Sequence, residues 1–307
     1  MITLAHFADR LVERIVRIKS RICVGCDPAI EHLPPEINDI YQLKRLRDDS
    51  DLEAAAGAVA IFGEELIEAV HEVAAAFKFQ AAFYERLGPA GYEVLARHLA
   101  AARKAGLIAI LDCKRGDVGH TMQAYCEAYL TPGAPLEADA VTLAPYLGAD
   151  GLAPFSVCAG EHGKGYFVVV KSSNPSTTDV QDVRMEDGRP VYHRVAEMTA
   201  AEGRRLVGES GYSAAGAVVG ATYPDVVARL RELMPQQFFL MPGVGAQGAD
   251  VGLLGPAFDT RGLGALISSS RGVAYAWRER EGMSWQEAAR DAARDLRRAV
   301  NEALPIW

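Results

Sequence analysis

Residues 107–117 read Leu107-Ile108-Ala109-Ile110-Leu111-Asp112-Cys113-Lys114-Arg115-Gly116-Asp117, a continuous apolar run that breaks abruptly into charges. Short uninterrupted apolar runs bounded by charged or turn-forming residues mark strands buried on both faces, as in parallel sheets. The pattern recurs at 22–26, 76–80, 140–143, 166–171, 217–220, 238–241 and 265–268, so eight strands are predicted. Amphipathic or Ala-rich stretches at 52–74, 91–105, 192–207 and 224–233 lie between them and predict helices. A further helix opens the chain, with Leu4, Phe7, Leu11, Ile15 and Ile18 on one face. Strands alternating with helices eight times over predict an α/β fold, the (β/α)8 TIM barrel. A doubly wound open sheet is the competing arrangement, which periodicity alone does not separate from it.

The 307 residues suffice for one barrel or for two smaller domains. No composition shift or Pro/Ser-rich linker divides them, so a single domain over 1–307 is expected. It carries an N-terminal helix and long loops at about 172–190 and 243–262. Half the residues are apolar and 23% are charged, with mean hydropathy +0.02, which excludes disorder and fibre. The formal charge of -8, from 40 acidic against 32 basic residues, offers no basic field for nucleic acid. The longest uncharged run, 233–249, is broken by two prolines and three glycines and is too short to span a bilayer. Six charged residues within the first 20 argue against a signal peptide, and five cysteines cannot all pair. A reducing cytoplasm is therefore the expected compartment.

The charged end of the quoted stretch is the strongest candidate site. Residues two apart on a strand share a face, and at a barrel strand's carboxyl end that face is the mouth. Asp112 and Lys114 are so related; Asp117 follows the turn at Gly116, and Thr121 lies one helical turn beyond. On a surface such a cluster is chemically idle. At the end of an apolar strand, two carboxylates keep the lysine charged and aimed, as a proton donor requires.

A second signal, Met241-Pro242-Gly243-Val244-Gly245-Ala246-Gln247-Gly248, satisfies the spacing G-x-G-x-x-G. A dinucleotide site needs that turn early in a βαβ unit with an acidic residue about 20 positions on. Here only one strand remains, and the corresponding stretch, Ile267-Ser268-Ser269-Ser270-Arg271, has no carboxylate. In a barrel these two segments follow strands 7 and 8, where phosphate is often held. Gly245 and Gly248 would expose backbone N–H groups there, with Gln247 and Arg271 as side-chain donors. Cys23-Val24-Gly25-Cys26 lies within one strand, where residues three apart face opposite sides and cannot chelate one ion. No metal site and no acyl-transfer triad is expected.

With these residues in view, the sequence resembles the orotidine 5'-phosphate decarboxylase family in its longer bacterial form. The resemblance runs through Val24-Gly25-Cys26-Asp27-Pro28, Lys78-Phe79-Gln80-Ala81-Ala82-Phe83-Tyr84-Glu85, the D-x-K-x-x-D-x-x-x-T segment from Asp112 to Thr121 and Thr142-Leu143-Ala144-Pro145-Tyr146-Leu147-Gly148. It continues in Ser172-Ser173-Asn174-Pro175, Val219-Gly220-Ala221-Thr222-Tyr223-Pro224, Pro242 to Gly248 and Ser270-Arg271-Gly272. Cys113 and His120 depart from it, standing at variable positions more often small.

The resemblance implies decarboxylation of orotidine 5'-monophosphate to uridine 5'-monophosphate and CO2, the last step of de novo pyrimidine nucleotide synthesis, with neither metal nor organic cofactor. It implies Lys114 as proton donor flanked by Asp112 and Asp117, Asp27 and Lys78 at the ribose, and Ser173 at the pyrimidine edge. Gln247 and Arg271 would meet the phosphate. It also implies a homodimer in which Asp117 and Thr121 reach the neighbouring subunit's site. Two other readings compete: a metal-dependent sugar-phosphate decarboxylase or aldolase on a related barrel, and a non-catalytic nucleotide-binding barrel.

Overall fold

The computed structural model describes residues 5–41, 49–243 and 251–304. Its eight strands are β1 (Ile22–Cys26), β2 (Ala76–Gln80), β3 (Ile108–Arg115), β4 (Ala140–Leu143), β5 (Gly165–Lys171), β6 (Ser213–Val219), β7 (Gln237–Pro242) and β8 (Ala265–Ser269). They form a closed barrel in chain order, every pairing parallel and β8 returning to β1. The open sheet is thereby excluded. The α-helices are α1 (Phe7–Ile18), α2 (Pro35–Tyr41), α3 (Asp49–Val70), α4 (Ala81–Glu85), α5 (Gly88–Lys104), α6 (Gly119–Leu130), α7 (Ala153–His162), α8 (Val191–Gly203), α9 (Pro224–Leu233), α10 (Arg271–Ala274) and α11 (Trp285–Ala303).

Each strand is buried almost throughout because its outer face meets helices and its inner face fills the barrel. On β2 the alternation is plain: Phe77 and Phe79 turn outward, Phe79 against Tyr84 and His98, while Lys78 and Gln80 turn inward. The last helix starts with a capping box, Ser284 and Glu287 exchanging hydrogen bonds, and then buries Trp285, Ala288, Ala289, Ala292 and Ala293 along one side. Trp285 stacks on Phe62 of α3, ring centroids 5.1 Å apart, which closes the ring of helices.

The predicted strands at 22–26, 76–80 and 140–143 and the helix at 224–233 keep their bounds. β6 begins four residues before its apolar run, at Ser213, because Ser213 to Gly216 are small enough for the close strand contacts there. A Cβ on Gly216 would lie 2.5 Å from the Phe167 ring. The loop expected at 172–190 contains a 3-10 turn, Pro175–Asp179, and a single antiparallel bridge, Arg184 to Pro190. In the loop expected at 243–262, residues 251–257 form a further 3-10 turn. Cys23 and Cys26 lie in β1 on opposite faces, Cys26 beside the Tyr84 hydroxyl, and burial pushes both thiols up to about 12. Cys126 of α6 and Cys158 of α7 face each other sulfur to sulfur across the two helices. Among the described residues no helix is long and apolar enough to cross a membrane.

Candidate active site

At the carboxyl ends of the strands lies a cavity of about 240 Å³. Asp27, Lys78, Asp112, Lys114 and Arg271 line it, so five of the nine expected site residues converge from β1, β2, β3 and the segment after β8. The convergence follows from register. Gly25 pairs with Lys78 and Gln80 with Asp112, so inward residues of adjacent strands rise together towards the mouth. Gly25 has to lack a side chain, since a Cβ there would sit 2.0 Å from Ser270 Oγ. That close approach lets the segment carrying Arg271 fold in over β1.

Asp112 is the hub. Its Oδ2 accepts from Lys78 Nζ at 2.8 Å and Gln80 Nε2 at 3.3 Å; its Oδ1 accepts from Lys114 Nζ at 2.6 Å and Thr142 Oγ1 at 2.9 Å. Burial alone would raise its pKa, but the Lys78 and Lys114 ammoniums outweigh it and hold the carboxyl well below the usual carboxylate range. Burial likewise opposes the charge on Lys78; Asp112 and then Asp27 overcome it, so Lys78 is held above the ordinary lysine value. Both groups are therefore charged at neutral pH. Asp27 Oδ1 is buried with no hydrogen-bond partner among the described residues.

Lys114 differs from Lys78 in being 48% exposed, its Nζ directed to the cavity rather than sealed beneath it. Its backbone has φ 44°, one of two non-glycine residues in the left-handed region among the described residues. The strain, on the order of 1–3 kcal/mol, persists only where surroundings impose it. Here the β3–β4 register slips between Leu111 and Arg115, and the Lys114 N–H donates to Thr142 Oγ1 at 2.9 Å. The simple two-residue alternation therefore gives the right partners by a different path. A bulge, pinned by Thr142, turns Lys114 back over Asp112.

Asp117, Thr121 and Ser173 do not line this cavity within the chain. Asp117 Oδ1 accepts from the Val118 N–H at 2.7 Å, Thr121 lies in the first turn of α6, and Ser173 follows the end of β5. Gln247, Gly245 and Gly248 lie outside the described residues. Two polar residues that sequence reasoning gave no role, Gln80 and Thr142, bind Asp112 directly. The alternation along β2 already aimed Gln80 at the mouth; nothing local to Thr142 marks it, since its part depends on the bulge in the neighbouring strand. Ser268, Ser269 and Ser270 complete the wall. Counted over these side chains, three cations face two carboxylates, so the cavity favours an anionic ligand. Among the described residues no three His, Cys, Asp or Glu side chains gather as a metal site.

A family model described as orotidine 5'-phosphate decarboxylase / HUMPS family matches residues 20–281. The chain belongs to this family. Orotidine 5'-phosphate decarboxylase of Rhodopirellula baltica is 40% identical over 296 residues, covering 93% of this chain and 96% of the relative. A solved structure from Streptomyces avermitilis superposes with a TM-score of 0.81 at 35% identity, covering 99% of this chain and 98% of that one. The OMP decarboxylase structure from Leishmania donovani gives 0.73 at 33% identity, over 97% and 98%. The match takes in the lysine, carboxylate and arginine residues of the cavity described above, all of which fall within 20–281.

Proposed function

We propose that this chain is a carboxy-lyase, converting orotidine 5'-monophosphate to uridine 5'-monophosphate and CO2, the final step of de novo pyrimidine nucleotide synthesis. The observation that carries the reading is the Lys78–Asp112–Lys114 array at the mouth of a barrel of the decarboxylase family.

The chemistry accounts for that array. Breaking the bond from C6 to the carboxylate releases CO2 and leaves an electron pair in the plane of the pyrimidine ring, where resonance does not spread it. An ammonium fixed beside C6 stabilises this charge more than it stabilises the substrate, which is what acceleration requires. Lys114 Nζ then gives a proton to C6 and regains one from water. Asp112 aims Lys114, and Lys78 beneath keeps Asp112 ionised. Asp112 also faces the substrate carboxylate, and their repulsion ends as CO2 departs.

In this reading Asp27 and Lys78 take the ribose, an assignment supported by the unpartnered Asp27 oxygen. Arg271 and Gln247 take the phosphate and Ser173 the pyrimidine edge. Asp117 and Thr121 act in the neighbouring subunit of a homodimer. Val118, Tyr146 and Leu147, exposed at 46%, 86% and 47% beside these two residues in the chain or at the same barrel end, supply apolar surface for the pairing. We read residues 1–307 as one domain, because all eight strands close a single barrel.

The test is incubation of the EDTA-treated protein with orotidine 5'-monophosphate, followed by ultraviolet absorbance. A steady fall supports a metal-independent decarboxylase. Turnover that stops with EDTA and returns with a divalent cation contradicts it in favour of the metal-dependent barrel reading.

A further inference from the structure

At the opposite end of the barrel from the mouth lies a second cavity, of about 430 Å³. It is built where β3, β4 and β5 begin, with Ile108, Asp139 and Lys164 in its wall, and α1 runs across it. Phe7 fixes that helix by an edge contact to Phe167 of β5. Arg10, Arg14 and Arg17 recur at intervals of four and three, so they share one helical face, and that face is turned into the cavity. Arg103 at the end of α5 and Lys164 before β5 join them.

Five basic side chains thus line the cavity against three carboxylates, an excess of two positive charges in a chain that is acidic overall. Two of the carboxylates are fully engaged by protein donors. Asp139 accepts from Arg10 at 2.9 Å and from the Ala109 N–H at 2.9 Å; Glu137 accepts from Lys164 at 2.7 Å and from the Gly133 N–H at 2.9 Å. Arg14 has no such partner. It is 92% buried by its 8% exposure, its Nη2 is held by the Ala74 and His71 carbonyls, and its Nε has no hydrogen-bond partner among the described residues. Arg103 is different: its Nη1 pairs with Glu137 at 2.6 Å, and only its buried Nε has no hydrogen-bond partner among the described residues. Arg17 is exposed and has no ion-pair partner among the described residues.

A buried guanidinium without a carboxylate costs folding energy that an anion restores. We propose that this lower cavity binds a small phosphate-bearing anion, held by Arg14 and Arg17, separately from the substrate's phosphate at the mouth. Guanidinium forks match phosphate oxygens in geometry as well as charge. The volume falls within the usual range of about 300–1,000 Å³ for small-ligand sites. The site is independent of the decarboxylase reading, since none of its residues reaches the mouth.

Inorganic pyrophosphate is a suitable probe, titrated calorimetrically into the full chain carrying Arg271→Ala, which removes the proposed phosphate contact at the mouth. One pyrophosphate per chain is expected, with an affinity that falls as salt is added. Adding Arg17→Gln, an exposed change that leaves folding and turnover alone, raises Kd about tenfold, as loss of one charged hydrogen-bonded contact does. Arg14→Met weakens binding further where circular dichroism shows an intact fold. Absence of binding to the Arg271→Ala chain, or binding that Arg17→Gln leaves unchanged, overturns the proposal.

Discussion

Replacing Asp112 by Asn removes one charge from the centre of the site and leaves its shape. Lys78, whose side chain is 7% exposed, then keeps a buried ammonium beside a neutral amide. Breaking a buried ion pair from one side costs about 3–5 kcal/mol, because the orphaned charge stays desolvated. The Lys114 arm is half exposed, so its loss adds no more than about 1 kcal/mol. Asp27, whose charge also acts on Lys78, offsets part of the cost. A net loss of about 3 kcal/mol is expected, which for a chain of this length lowers Tm by about 5 °C. Turnover suffers more than stability. Lys114 loses the 2.6 Å anchor that aims it, and misdirecting one preorganised charged group costs on the order of 10²–10³ in kcat. Thr142→Val is the comparison that keeps the carboxylate: it deletes both 2.9 Å hydrogen bonds of that hydroxyl, to Asp112 and from the Lys114 N–H, at about 1 kcal/mol each. Thermal unfolding by circular dichroism and the absorbance assay read both variants. An Asp112→Asn protein that melts with the wild type and turns over within about threefold of it would refute the hub role.

Subunit sharing is tested by mixing two inactive variants, Lys114→Ala and Asp117→Asn. If Asp117 serves the neighbouring site, every mixed dimer has one intact site, and an equilibrated equimolar mixture recovers about a quarter of wild-type activity. If Asp117 serves its own chain, the mixture stays inactive. Stability should also depend on pH through His98, which sits between the Tyr84 hydroxyl and the Ala60 carbonyl at 3.0 Å each, and whose pKa burial pushes down to about 4. The unfolded chain takes up this proton near pH 6.5, well before the folded one. The stability is therefore whole above pH 6.5 and drains away as pH falls towards 4, by about 2–3 kcal/mol between pH 7 and pH 4.5. Urea midpoints at the two pH values measure it, and His98→Gln should lose that part of the difference; an unchanged pH dependence contradicts the assignment.

The barrel was legible because burial on both faces writes parallel strands as apolar runs, and the run ends coincide with site residues. Ile108 to Arg115 shows both the reach and the limit of that reading. The apolar core of β3 and the charged residues after it are plain in the sequence. The bulge that folds Lys114 over Asp112 is not, because it depends on a hydroxyl from β4, 28 residues away. The start of β6 at Ser213 was hidden for a related reason: small residues chosen for close strand packing carry no apolar signal. Asp117 and Thr121 were legible as part of a charged motif, yet one chain leaves them away from the cavity. On the proposed reading they act in a neighbouring subunit, where no contact within one chain reveals their role. The lower cavity left no sequence signal because its basic residues are spread over α1, α5 and the residue before β5, joined only by the closure of the barrel.

The central claim is that Lys114 protonates C6 of orotidine 5'-monophosphate. Its most direct test compares the EDTA-treated wild type with Lys114→Ala, recording the absorbance fall with substrate and the binding of uridine 5'-monophosphate separately. The wild type should decarboxylate without added metal. Lys114→Ala should lose at least about 10³ in kcat while still binding the nucleotide, as expected for a residue acting in the transition state. A Lys114→Ala enzyme with near wild-type turnover, or a wild type that binds the nucleotide and releases no CO2, contradicts the account.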